Sequence, residues 1–583
     1  MLSSNKLAAA GGRLRGLGAS ANLAPGPLDR VAARLRRPLD RAFERRAAAL
    51  DGLGSLSRQA AQAASLLPAA AGEPARADVP GAPRLGAAAG GQRVLVVSLR
   101  GWATHNAYEL TIAQALRLRG ATVALLSCGG GAPVCELGRA RSGHPRPCDR
   151  CAWLTAQIAR RCELEHHTLA SRLPWGADPR RAPVEAPAAR QLAASRVSAS
   201  WLLRTTAPEQ VAGGQEILRD FAVASAGVEA AASAILDELA PDVVLSLNGL
   251  FAFERAIRAL ALERGSRAPT YEIAPRGGAL VFSQRQPAPD YRLDGLWRTV
   301  RERPLSALQR EEVTRLLADR ARGVGAHERY YEQQREDPTE LRAQLGLGGR
   351  ERVVSLFTNV TWDSATMGRD IGFESMLDWV REAVRLARGS ELVLVVRVHP
   401  AERRWRSREQ LRELVATADS RMPDNVRFVA AEDPLSSYAL IDASDLVLAY
   451  TTTVGLEAAA RGRRVAVAGA THYRERGFTI DLSERSQLAE LFAHRAAPAP
   501  PDQTELALRY AHMFFLRAMI PFPAVQTDGG RVTRLPDGAR ELLPGADPYL
   551  DWVCERILDG GDFGLPDELA RLATGALDRP SGA

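Results

Sequence analysis

Short apolar runs alternate with longer amphipathic or small-residue stretches in two parts of this chain. The first part opens at Arg93-Val-Leu-Val-Val-Ser98, a run too short for a helix and rich in β-branched residues, which reads as a buried strand. A polar loop, Leu99-Arg-Gly-Trp-Ala-Thr-His105, follows, and a helical pattern runs from about Asn106 to Arg119, where Gly120 suits a helix end. Residues 121–127, 242–247 and 269–273 read as further strands, with a long helix predicted over 216–239. The same rhythm restarts at Arg352-Val-Val-Ser-Leu-Phe357 and continues through runs at 391–397, 425–430, 446–450 and 464–468. Strands alternating with helices imply parallel sheets. The expected architecture is therefore α/β, with two domains facing each other across a cleft.

Between and beyond these units the pattern changes. Residues 311–336 read as a charged, largely helical bridge despite Gly323 and Gly325. Pro498-Ala-Pro-Pro501 interrupts the second unit, and 504–519 reads as an amphipathic helix before a mixed tail. Residues 1–91 form a separate appendage. Val31, Leu35, Leu39 and Phe43 recur on one face of a basic segment carrying Arg30, Arg34, Arg36, Arg37, Arg41, Arg45 and Arg46. Pro38 kinks or splits that helix, and the Ala/Gly/Pro-rich stretch 68–91 reads as a linker. The expected domains are 1–91, 92–330, 331–500 and 501–583.

At 583 residues the chain is too long for one ordinary core, which agrees with that division. It contains no run of about 18 apolar residues of the kind that spans a bilayer, and no signal-peptide pattern, so the expected location is cytoplasmic. The basic N-terminal helix suits packing on the body, or peripheral contact with the inner face of a membrane. The net charge of +8 does not by itself indicate nucleic acid, because lysine is almost absent and aromatic residues are not interleaved with the basic ones.

Candidate chemistry sits where strands end. Arg397-Val-His399-Pro400 closes one apolar run, and Thr451-Thr-Thr-Val-Gly455-Leu-Glu457 closes another. Parallel strands deliver ligand-binding groups from their carboxyl ends. Arg397, His399, Thr452 and Thr453 offer donors for a nucleotide phosphate, Gly455 allows close backbone approach, and Glu457 suits ribose hydroxyls. Asn359, Asp363 and His472 follow neighbouring strands and face the same cleft. On the opposite side, His105, Glu272 and Glu109 are candidates for a base acting on an acceptor hydroxyl, with His105 preferred. Five of the six cysteines cluster. Cys148 and Cys151 have metal-ligand spacing, and Cys128 and Cys135 complete a four-thiolate set for Zn²⁺ or an iron–sulfur centre, with His144 as a further ligand candidate.

Several of these pieces resemble the capsule polysaccharide biosynthesis glycosyltransferases, relatives of Kdo transferases and bacterial sialyl- and polysialyltransferases. They are Phe357-Thr-Asn-Val-Thr-Trp-Asp363, Arg397-Val-His-Pro400, Ser436-Ser-Tyr438, Thr451 to Glu457, and Gly469-Ala-Thr-His-Tyr473. The resemblance implies a GT-B fold of two Rossmann-like domains and transfer of a sugar from a nucleotide-activated donor, with no metal at the nucleotide site. It assigns donor binding to His399, Thr452 and Thr453. The acceptor implied is a surface polysaccharide or glycolipid. A sugar-nucleotide epimerase on the same plan, or an inactive GT-B binding or scaffold protein, are the alternatives.

Overall fold

A computed structural model describes residues 91–140, 147–184, 189–327, 337–347, 351–364, 366–408, 411–416, 422–493, 502–528 and 530–575. The basic appendage before residue 91, with its expected membrane contact, and His144 lie outside them. Among the described residues no helix is long and apolar enough to cross a membrane.

The N-terminal unit contains β1 (Arg93–Val97), α1 (Ala103–Leu118), β2 (Thr122–Ser127), a small hairpin of β3 (Val134–Cys135) and β4 (Gly138–Arg139), α2 (Pro147–Arg161) and β5 (Glu165–Thr168). It continues with α3 (Ala189–Leu203), α4 (Gly214–Leu239), β6 (Val243–Leu247), α5 (Ala252–Glu263), β7 (Thr270–Ile273) and β8 (Ala279–Ser283). Helices α6 (Asp294–Val300), α7 (Ala307–Ala321) and α8 (Pro338–Gln344) lead to the second unit. That unit comprises β9 (Arg352–Phe357), α9 (Met376–Ala387), β10 (Leu392–Arg397), α10 (Ala401–Trp405), α11 (Leu411–Ala416), β11 (Val426–Val429) and α12 (Ser437–Asp442). It closes with β12 (Leu446–Ala449), α13 (Val454–Ala460), β13 (Val465–Val467), β14 (Ile480–Asp481) and α14 (Arg485–Ala493).

Strand order in the second sheet is β11-β10-β9-β12-β13-β14, parallel throughout. This is the Rossmann order 3-2-1-4-5-6, and its direction reverses between β9 and β12. The apolar runs are buried on both faces because helices cover both. Helix α9 illustrates the local logic. Ser375 accepts a hydrogen bond from the Asp378 N–H at 3.1 Å, capping the helix. Met376, Trp379, Val380, Ala383, Val384 and Ala387 then fall on one buried stripe.

The first sheet has the order β15-β8-β7-β6-β1-β2-β5. Its edge strand β15 (Met519–Pro521) comes from the far end of the chain and pairs antiparallel with β8. The expected helix over 504–519 runs to Ala518, in two geometries. Helix α15 (Gln503–His512) passes into a π-helical turn (Met513–Ala518) before β15 begins. After the hairpin β16 (Gln526–Asp528) and β17 (Arg531–Arg534), helix α16 (Pro548–Asp559) buries Tyr549, Leu550, Val553 and Ile557 in the same core as α1, and α17 (Asp567–Gly575) follows. Strand β15 and helix α16 thus join the N-terminal unit, whereas α15 packs Ala507, Tyr510 and Ala511 into the core of the second. Within the expected bridge α7 stops at Ala321, where Gly323 takes a left-handed φ of 72°, and 328–336 lie outside the described residues.

Candidate active site

The reversal point of the second sheet gathers the donor-side residues. Asn359, just past β9, accepts a hydrogen bond from the Thr451 N–H, just past β12, at 3.1 Å. The Thr451 hydroxyl beside it is buried and meets no hydrogen-bond partner. From the neighbouring strand β10, the His399 N–H donates to the Thr358 hydroxyl at 3.1 Å. The His399 Nδ1 accepts from the Ala401 N–H at 3.1 Å, which puts the ring proton on Nε2. Burial, and then the charge of Arg397, push this imidazole down to about 4. It stands as a neutral N–H donor at pH 7.

Other predicted donor-side residues have different partners. Arg397 is 2% exposed, and its guanidinium donates to the carbonyls of Ala430 at 2.7 Å and Asp433 at 3.1 Å, bracing the loop after β11. Glu457 is 1% exposed and accepts from Arg320 of α7 at 2.9 Å and from the Tyr438 hydroxyl. Arg320 also donates to the Pro275 carbonyl at 3.1 Å, so this ion pair ties the two units together. Gly455 does admit a close approach, but of Tyr473: a β-carbon there would stand 2.2 Å from the Tyr473 hydroxyl oxygen. That hydroxyl donates to the Thr452 carbonyl at 2.7 Å, and Thr453 caps the seven-residue helix α13 with no side-chain bond. His472 stacks on Phe514 with ring centroids 4.0 Å apart and lies 5.2 Å from the Tyr291 ring. Its Nδ1 is 3.1 Å from the Tyr510 hydroxyl, whereas its Nε2 is buried without a partner.

The acceptor-side candidates separate by accessibility. Glu109, 3% exposed, is locked by hydrogen bonds from the Ser98 hydroxyl at 2.5 Å and the Tyr271 hydroxyl at 2.8 Å. Burial pushes its carboxyl up to about 7. The His105 Nδ1 is 3.3 Å from the Tyr271 hydroxyl, and burial with the nearby charge of Arg100 pushes the imidazole down to about 3, making it a weak base. Glu272, on β7, is half-buried and accepts from the Ile273 N–H at 2.8 Å. Burial, and then the charges of Asp363 and Glu254, push it up to about 7. Asp363 belongs to the second unit, so Glu272 faces the other domain.

Arg100, after β1, is buried at the reversal point of the first sheet between Glu136 and Glu254. Cys128, Cys135, Cys148 and Cys151 line one enclosed cavity of about 20 Å³ beside it. The Gly101 N–H donates to the Cys151 sulfur at 3.0 Å. Among the described residues, no three His, Cys, Asp or Glu side chains already stand together as an ion-holding group. Ser98, Arg320 and Arg204 were not singled out by sequence. Ser98 carried the signal of a strand end, whereas nothing local marked Arg320 or Arg204.

Residues 340–508 match the model of the family described as capsule polysaccharide biosynthesis protein. No curated protein matches the chain. Among solved structures, the beta Kdo 2,4 transferase KpsC of Thermosulfurimonas dismutans is 16% identical, with a TM-score of 0.34 over 52% of this chain and 86% of that one. Its beta Kdo 2,7 transferase gives 15%, 0.30, 52% and 84% in the same terms. The UDP-GlcNAc 2-epimerase of Neisseria meningitidis bound to UDP-GlcNAc gives 12%, 0.25, 73% and 96%. Likenesses this distant assign no residue and no activity.

Proposed function

We propose, on the premise that residues 340–508 form a capsule polysaccharide biosynthesis domain, that this chain is a glycosyltransferase. It moves a sugar from a nucleotide-activated donor onto a hydroxyl of a glycan or glycolipid. The observation that carries this reading is the meeting of Asn359, Thr451 and His399 at the β9/β12 reversal point, the place where open α/β sheets bind ligands. The His399 Nε2–H and the threonine hydroxyls donate to the nucleotide phosphate. Glu272 takes the proton of the acceptor hydroxyl. The freed oxygen attacks the anomeric carbon as the bond from that carbon to the phosphate oxygen breaks, and the leaving charge stays on the nucleotide.

A thermal-shift screen with CMP-, UDP-, GDP- and dTDP-sugars tests the donor half, because a ligand that binds only the folded state raises apparent stability. One nucleotide is expected to raise the midpoint. His399→Ala weakens that nucleotide about tenfold, the value of one good hydrogen bond. Equal affinity in the variant removes His399 from the site. Isomerisation of the donor with no acceptor present points instead to an epimerase, and no shift with any of the four points to a binding or scaffold role.

The cysteines carry a separate proposal. We propose that Cys128, Cys135, Cys148 and Cys151, which line one cavity, hold a thiophilic ion such as Zn²⁺. The ion would brace the loop that carries Arg100 and Trp102. Metal analysis is expected to find about one equivalent of zinc or iron per chain, lost in Cys148→Ser and retained in Cys554→Ser, which lies in another part of the core. Folded wild-type protein without metal rejects the site.

A further inference from the structure

Arg204 stands just past α3 in the left-handed region, with φ of 58°, a backbone state seldom taken by a residue with a side chain. Its guanidinium lies over the rings of Trp201 at 4.0 Å and Trp362 at 4.4 Å, with Trp405 at 5.4 Å. Trp201 belongs to the first unit, whereas Trp362 and Trp405 belong to the second. The three indoles also touch one another: Trp201 meets Trp405 edge-on at 6.3 Å, and Trp362 lies 5.8 Å from Trp405. Two hydrogen bonds hold the arrangement, from the Arg408 N–H to the Arg204 carbonyl at 3.1 Å and from the Trp362 indole N–H to the Ser407 hydroxyl at 2.8 Å.

Stacking covers the faces of a guanidinium and leaves its edge donors to find acceptors. In Arg204 the Nη1 atom is buried and meets no hydrogen-bond partner. Other arginines around the domain junction are committed: Arg320 to Glu457, Arg369 to Asp290, Arg476 to Asp294, and Arg397 to backbone carbonyls. The acid that acts on Arg204 is Asp363, the residue that also faces Glu272. Arg204 therefore sits beside Asp363 and the proposed reaction centre. Holding a desolvated cation with an unmet donor costs stability, and an arriving oxyanion offsets that cost.

We propose that Arg204 is an oxyanion anchor at the domain junction. It grips a carboxylate or phosphate borne by the sugar-containing substrate through its planar fork. The inference rests on reading the junction as the substrate site, but the contact can be measured without turnover or nucleotide. The surrounding indoles supply the signal. Tryptophan fluorescence and thermal midpoint are followed at constant ionic strength while four probes are titrated. They are N-acetylneuraminate with its uncharged counterpart N-acetylmannosamine, and glucose 1-phosphate with glucose.

A saturable response to one anion and not to its neutral partner is expected. N-acetylneuraminate responding identifies a carboxylate ligand, and glucose 1-phosphate a phosphate. Arg204→Met weakens the response at least tenfold. Arg204→Lys, which keeps charge and stem but loses the fork, weakens it at an unchanged thermal midpoint, which separates binding from folding. The loss caused by Arg204→Met is the same in a His399→Ala background, so failure of the donor assignment remains distinguishable from failure of this one. Absence of a response to both anions in the wild-type chain, or equal responses in wild type and Arg204→Lys, overturns the proposal and leaves Arg204 as a packing cation between domains.

Discussion

Glu272→Gln is expected to lower kcat by about 10²–10⁴-fold, the usual contribution of a positioned general base, while the affinity for the nucleotide-sugar stays unchanged. Two features select Glu272 over its rivals. Glu109 has the same elevated pKa of about 7, but it is sealed behind Ser98 and Tyr271. His105 is pushed down to about 3 and accepts a proton poorly at neutral pH. Glu272 combines a pKa of about 7 with a position opposite Asp363 of the other domain. In the wild type the rate climbs as pH rises through about 7 and the carboxylate loses its proton, and the variant loses this limb. If His105→Gln abolishes turnover and Glu272→Gln does not, the base is His105.

The same group has a signature in stability. Its folded pKa lies above the ordinary carboxylate value of 4.5, so the folded state holds the proton more tightly than the unfolded chain. The stabilisation is complete below about pH 4.5 and is lost as pH rises through about 7. Glu272→Gln flattens this decline, and Glu109, which is shifted in the same direction, supplies the part that remains.

Arg100→Met is expected to destabilise the N-terminal unit by about 3–5 kcal/mol, the typical consequence of removing one partner from a buried ion pair. Arg100, Glu136 and Glu254 are each no more than 4% exposed. The guanidinium reaches both carboxylates and stacks 5.1 Å from Trp102 and 4.9 Å from Phe251. Without it, two carboxylates face each other in a dry site. Replacing Glu136 and Glu254 by Gln in the same variant removes that repulsion and recovers part of the loss. Denaturant unfolding is expected to move the N-terminal transition and leave that of the other sheet in place. An unmoved first transition shows that solvent reaches the cluster.

The strands were legible because each is a local pattern. The apolar runs at 352–357, 391–397 and 446–450 became β9, β10 and β12 within a residue of the expected ends. The run at 504–519 is helical to Ala518, as its pattern predicts, but its end is set by a demand that periodicity does not carry: Met519–Pro521 pairs with Ala279–Val281, far away in sequence. Glu457 shows the same limit of range. A carboxylate on the first turn after a strand suits a ribose, but its main neighbour is Arg320, contributed by α7.

Periodicity and strand-end chemistry determined, from sequence alone, that the chain builds two α/β units and that polar groups crowd the ends of particular strands. Only the tertiary structure decided which ends meet. The strand order joined Asn359 to Thr451 and set His399 beside them. Packing turned Arg397 and Glu457 inward to brace the fold, and set Arg204 among indoles from both units. Desolvation beside Asp363 then lifted Glu272, rather than His105, into the range of a working base. The physical reason is one of range: hydrophobic pattern is written over a few consecutive residues, whereas burial, charge pairing and pKa depend on groups brought together from distant parts of the chain.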